Sequence, residues 1–253
     1  KRHFLLLTIN QIPACRIDTN SNLRKGNQMM KLILSSSIGG SVKENGIRIP
    51  VPLFTDNGFL DMLKQDWVGD AKVLMIVSSP DDSDKNDVIC GCYAQAFPFS
   101  GLSIASMNLC DGRNPDSVAR IPEMNVVLLS GGHVPTQNAF FKKIGLKERL
   151  RNFSGMVIAM SAGAMNCADL VYAGPELAGE AIDPDYQRWI TGLGLTDVNI
   201  LPHYQSLQDE WLDGMRLLED ITCRDSVGHE LIALNDGSYI VVDNGRHTLF
   251  GEA

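Results

Sequence analysis

Met156-Val157-Ile158-Ala159-Met160-Ser161-Ala162-Gly163-Ala164 is an apolar run that stops abruptly on a serine set among small residues. Such a run suits a strand buried on both faces. A serine hydroxyl attacks a carbonyl only after a base takes its proton, and only if it stands clear of the backbone. A sharp turn from strand to helix lifts it there, and the crowded turn accepts only small neighbours. The first position of such an elbow is usually Gly and here it is Ala159. The same residues also fit an ordinary strand–turn–helix in which Ser161 caps the helix.

Outward from this run, short apolar stretches alternate with helical ones. Lys31–Ser37 reads as the first strand, ending in the loop Ile38-Gly39-Gly40, and Ala71–Val77, Leu102–Asn108 and Asn125–Leu129 read as further strands. Helical stretches fall at 54–63, 88–96, 136–144, 146–152 and 207–219. This alternation predicts an α/β fold with a parallel sheet covered on both faces. Ligands bind such sheets at the carboxyl ends of the strands. The small and polar residues gather at those ends: Gly39-Gly40, Ser78-Ser79, Gly131-Gly132 and Ser161. Beyond a loop rich in Gly, Pro and acid at 173–184, Val198–His203 reads as a strand running into a histidine. Glu230–Val242 reads as a β-hairpin turning at Asn235-Asp236-Gly237. Asp243-Asn244-Gly245 signals another turn before His247–Phe250, a last strand without an evident partner.

The 253 residues are 44% hydrophobic and 21% charged, as in a globular chain. The net charge of −8 argues against nucleic acid or an anionic membrane as a partner. Cys15, Cys90, Cys92, Cys110, Cys167 and Cys223 are scattered, with no zinc-type pairing, and read as free thiols of a reducing, cytoplasmic protein. No apolar run approaches the roughly 20 residues that span a bilayer. Lys1–Ile9 has the outline of a signal peptide, but its apolar part falls short of the usual length of about 7–15 residues. Residues 1–28 are therefore read as a poorly structured extension, and 29–253 as a single domain.

A nucleophilic serine needs a base oriented by a third group. Among the five histidines, His203 is favoured because it ends a buried strand on the face that carries Ser161. His133, beside Gly131-Gly132, competes as base or meets substrate. Asp236, in its tight turn, is the first candidate for the orienting acid, with Glu176, Glu180 and Asp183 as rivals. An oxyanion hole needs two N–H donors. Ala162, just after the serine, and Gly132, which has no side chain to hold a substrate away, are placed to supply them. No metal or cofactor is called for by any of these motifs.

Together these residues resemble peptidase family S51, which contains the aspartyl dipeptidases (dipeptidase E) and the cyanophycinases. The likeness runs in order from Lys31 to Gly251. It takes in the opening strand with its serines, the Gly-Gly loop, Ser-Ala-Gly-Ala, Asn-Ile-Leu-Pro-His, and a closing Ile-Ala-Leu-x-(acid)-Gly-Ser-x-Ile. The resemblance implies a three-layer sandwich of the class I glutamine amidotransferase-like (flavodoxin-like) kind, with a mostly parallel central sheet and a C-terminal β-hairpin. It implies a metal-free serine peptidase in which Ser161 is nucleophile, His203 base and Asp236 acid, with Gly132 and Ala162 as oxyanion hole. Its substrate would be a small peptide or isopeptide, and it admits a homodimer. Asp236 stands where the dipeptidases carry Glu. The loop His133-Val134-Pro135-Thr136-Gln137 replaces their Asn-Thr-Phe, so specificity for an N-terminal aspartate does not carry over. Gly131, His133 and Arg216 are candidate substrate contacts, with Arg188 a further basic residue. An esterase or acyltransferase with the same triad, and a catalytically silent binding domain, remain as alternatives.

Overall fold

The apolar runs of the sequence become neighbours in one sheet. The protein is represented by a computed structural model that describes residues 30–252; the extension expected over 1–28, with His3 and Cys15, lies outside the described residues. Strands β1 (Lys31–Ser35), β2 (Ala71–Ile76), β3 (Ile104–Cys110), β4 (Val126–Leu129) and β5 (Met156–Met160) are parallel. An antiparallel hairpin, β6 (Tyr239–Asp243) and β7 (Arg246–Phe250), completes one edge. The order across the sheet is β7-β6-β1-β5-β4-β2-β3.

Alternate side chains of a strand point to opposite faces, and here both faces are buried. Ile33, Val126, Leu128, Ile158 and Met160 pack against α1 (Phe59–Asp66) and α2 (Ser83–Phe99) through Phe59, Leu63, Tyr93 and Phe97. Leu32, Leu34, Val127, Leu129, Val157 and Ala159 pack against α3 (Val134–Lys143) and α4 (Leu146–Leu150) through Phe140, Phe141, Leu146 and Leu150. Three layers result. Val157 and Ile158 are wholly buried, and each contributes about 1.5–3 kcal/mol by leaving water. The chain lays β3 outside β2 before returning to place β4 on β2's other side. That reversal is a topological switch point, and sheets of this kind bind ligands at their carboxyl ends.

Three segments depart from their sequence reading. Glu230–Val242 is not a hairpin: Ile232–Ala233 pairs in parallel with Ile200–Leu201, while β6 crosses to pair antiparallel with β1. The turn at 235–237 thus joins two sheets, and the hairpin forms one turn later. There Asn244 and Gly245 both have positive φ, as a two-residue hairpin turn demands, so β7 does have a partner. The expected helix 207–219 is broken: a single turn, Tyr204–Leu207, is followed by the pair Trp211–Leu212 and Met215–Arg216 around Asp213-Gly214, again with positive φ at both, and helix resumes only over Leu217–Thr222. The loop expected at Gly39-Gly40 instead begins a hairpin, Gly39–Glu44 with Ile47–Leu53, which turns at Asn45-Gly46.

Candidate active site

β5 gives way within one residue to a single helical turn, α5 (Ala162–Met165), with Ser161 at φ 51°, ψ −121°. Among the described residues seven other than glycine have positive φ. Five are Asn or Asp, and the remaining two are Ser161 and His203 (φ 58°). Asn, Asp and His tolerate the left-handed region, which His203 occupies at ψ 31°, whereas Ser161, at ψ −121°, lies outside it. Backbone strain is thus concentrated on Ser161, at the turn that presents its hydroxyl. The turn closes because side chains are missing around it. A Cβ on Gly163 would stand 2.6 Å from the Leu129 carbonyl oxygen, and one on Gly131 would stand 3.0 Å from Cβ of Ser161. A Cβ on Gly132 (φ 149°) would collide with the Ser78 hydroxyl, which itself donates to the Gly131 carbonyl at 2.6 Å.

The Ser161 hydroxyl does not cap α5. Its Oγ lies 3.0 Å from Nε2 of His203, and Nδ1 of that ring lies 2.7 Å from Oδ1 of Asp236. Register explains the meeting. β1 and β5 pair so that Ser35 lies beside Met160, and the Ser35 carbonyl accepts the Ser161 N–H at 2.9 Å. Ile200–Leu201 and Ile232–Ala233 run side by side, so His203 and Asp236 leave their strands at the same level. Ser36, which the sequence does not set apart from Ser35 and Ser37, completes the group. Its Oγ donates to Oδ1 of Asp236 at 2.7 Å and accepts the backbone N–H of His203 at 2.8 Å. The His203 hydrogen bond, joined by those from Ser36 and Gln205, holds the Asp236 carboxyl below the usual carboxylate range despite partial burial.

The rival carboxylates do other work. Glu180 accepts the N–H groups of Glu176 and Leu177 at 2.8 and 2.9 Å and binds Nε2 of His133 at 3.0 Å. Asp183 accepts the Asp185 N–H. His133, with Thr136 on its other nitrogen, clamps the 176–180 loop instead of approaching as a second base. Arg216 is exposed and engaged by Asp220 and Glu219, and Arg188 pairs with Asp225; neither lines the cleft over Ser161. That cleft measures about 410 Å³. Met165, Tyr172, Leu201 and Leu217 form its apolar wall, Glu176 and Glu210 are its acids, and among the described residues no Lys or Arg lines it. Burial raises the Glu176 carboxyl, against the pull of His133.

Ala162 follows the serine directly and Gly132 follows Gly131, which approaches Ser161; neither the Gly132 nor the Ala162 N–H is used in the backbone network of the described residues, as expected of Ala162 at the start of a helix. Cys167 is buried with its thiol on the Gly163 carbonyl at 3.2 Å, and burial pushes its pKa up, so it is no rival nucleophile. Among the described residues no group of three or more His, Cys, Asp or Glu could hold a metal ion, and no helix is long and apolar enough to cross a membrane. What this arrangement can do is pass a proton from a hydroxyl to an imidazole backed by a carboxylate, beside two free N–H donors.

The sequence profile of peptidase family S51 matches residues 59–250. No curated protein matches the chain. Among solved structures, a protein from Listeria monocytogenes EGD-e assigned to peptidase E aligns with a TM-score of 0.58 at 12% identity, covering 89% of this chain and 100% of that one. A peptidase from an acI-B1 Actinobacterium aligns with a TM-score of 0.58 at 16% identity, covering 90% of each chain. Identities this low speak for the shared fold alone.

Proposed function

This chain belongs to peptidase family S51 and is a serine-type peptidase, and on that premise we propose that it hydrolyses a short peptide or isopeptide bond through Ser161, His203 and Asp236. The observation that carries the reading is the unbroken row from Ser161 Oγ through the His203 ring to Asp236, with contacts of 3.0 and 2.7 Å. With its Nδ1–H directed at the carboxylate, the ring keeps Nε2 free as an acceptor. Ser161 gives its proton to Nε2 as Oγ attacks the carbonyl carbon, and the N–H groups of Gly132 and Ala162 receive the oxyanion. His203 then passes the proton to the leaving amine. Water, activated by the same ring, releases the acyl group from Ser161.

The cleft has the dimensions of a site for a small ligand, which favours a dipeptide-sized substrate. Among the described residues no Lys or Arg lines the cleft, and with Glu176 and Glu210 present these residues offer no counter-charge for an acidic side chain. Peptides with apolar or neutral residues at the scissile bond are therefore preferred over Asp-X. The apolar wall also favours a second reading, an esterase using the same triad. A panel of Asp-X, β-Asp-X and neutral dipeptides, run beside p-nitrophenyl esters on wild type and Ser161→Ala, separates them. Peptide turnover that survives in Ser161→Ala overturns the mechanism, and ester turnover alone selects the second reading.

A further inference from the structure

We propose that Ser36 is a positioning residue that sets the tautomer and the orientation of His203; this rests on the triad reading above. A hydroxyl has one proton and two lone pairs. The Ser36 proton goes to Oδ1 of Asp236 at 2.7 Å, and one lone pair takes the His203 backbone N–H at 2.8 Å. The ring nitrogen Nδ1 lies 3.4 Å from the same oxygen and 2.7 Å from Oδ1 of Asp236. Because the Ser36 proton is committed to the carboxylate, Nδ1 faces acceptors on both sides and must carry its own hydrogen. The neutral ring then has its lone pair on Nε2, toward Ser161.

The same contacts fix position. His203 holds a left-handed backbone, which the acceptor on its N–H secures. The Asp236 carboxylate oxygen receives two donors, while the Asp236 N–H is tied to Gln205 at 3.1 Å. Ser36 is only 1% exposed, so no water replaces its hydroxyl without a rearrangement. Ser35, its neighbour, anchors the Ser161 N–H. Two successive residues at the end of β1 thus hold nucleophile, base and acid.

The test is Ser36→Ala, assayed on the peptide that best separates wild type from Ser161→Ala. Losing one charge-assisted hydrogen bond predicts a fall in kcat of about 10- to 100-fold with KM little changed. The low-field Nδ1–H proton resonance of His203 should broaden or vanish in a protein that still unfolds cooperatively. In an Asp236→Ala background the same substitution should cost far less, because it acts through that carboxylate. Ser36→Cys, which keeps the volume but offers a weak donor, carries the test if the alanine variant does not fold. A folded Ser36 variant with wild-type kcat and an unchanged resonance overturns the proposal. So does an equal loss with and without Asp236. If Ser161→Ala itself stays active, the triad reading has failed; if it is inactive while Ser36→Ala is unaffected, only the role of Ser36 has.

Discussion

Ser161, His203 and Asp236 each stand within three residues of a paired strand, whereas most of the remaining cleft wall comes from loops and short pieces between 172 and 222, none longer than the six-residue helical segment Leu217–Thr222. The row is placed by sheet register. The wall is held by carboxylates that take up loose N–H groups, Glu180 at 176–177 and Asp213 at 179 and 181. On the proposed reading, chemistry rests on residues set by strand register, and selectivity on a wall that can be rewritten locally.

Substitutions in the row should stop turnover, and those in the wall should redistribute it. The largest effect belongs to Ser161→Ala, with a fall in kcat on the order of 10⁶ and an unfolding temperature close to wild type, read by peptide hydrolysis and thermal melts. Asp236→Asn should lower kcat by roughly 10⁴, since the wrong tautomer is then stabilised. The native carboxyl is held below its ordinary pKa, so its contribution to stability is present above the unfolded value and is lost as pH falls through the folded one. The stability gap between wild type and Asp236→Asn in urea should accordingly be open at pH 7 and closed in strong acid. Gly132→Ala, whose Cβ would meet Ser78, should displace an oxyanion donor and lower kcat about 10²–10³-fold. On the wall, Asp213→Ala should raise KM several-fold with kcat nearly preserved, at about 1–2 kcal/mol of stability. A loss confined to kcat would erase the distinction between the two regions. Least of all, Glu176→Gln should remove an acid-side step from the pH profile of KM, because the native carboxyl takes up its proton above the usual range; identical profiles would place Glu176 outside substrate contact.

The same division governs what the sequence reveals. The five parallel strands were legible because each is an apolar run ended by small or polar residues, and Ser161 was legible because its turn needs Gly163 in close contact with the end of β4. Local turn chemistry outweighs periodicity in one wall segment and in the hairpin after β1. Asp213-Gly214 breaks an otherwise helical stretch, and Asn45-Gly46 turns a hairpin whose strands carry Pro50 and Pro52. Such dipeptides are strong hairpin signals, and at 213–214 they override the amphipathic spacing that predicts a helix. The crossing from Ile232–Ala233 to β6 was not legible, because strand partners far apart in sequence leave no local trace. Ser36 was hidden for the same reason, since its role exists only through residues that arrive much later in the chain.

The Ser36–Asp236 bond spans 200 positions of sequence, and this bears on the birth of the protein. Residues emerge from the ribosome in order, and contacts this distant form last. A growing chain that has already exposed Ser161 still lacks its imidazole, and later its carboxylate. On the triad reading, hydrolysis therefore waits until the segment that carries Asp236 has docked beside Ser36.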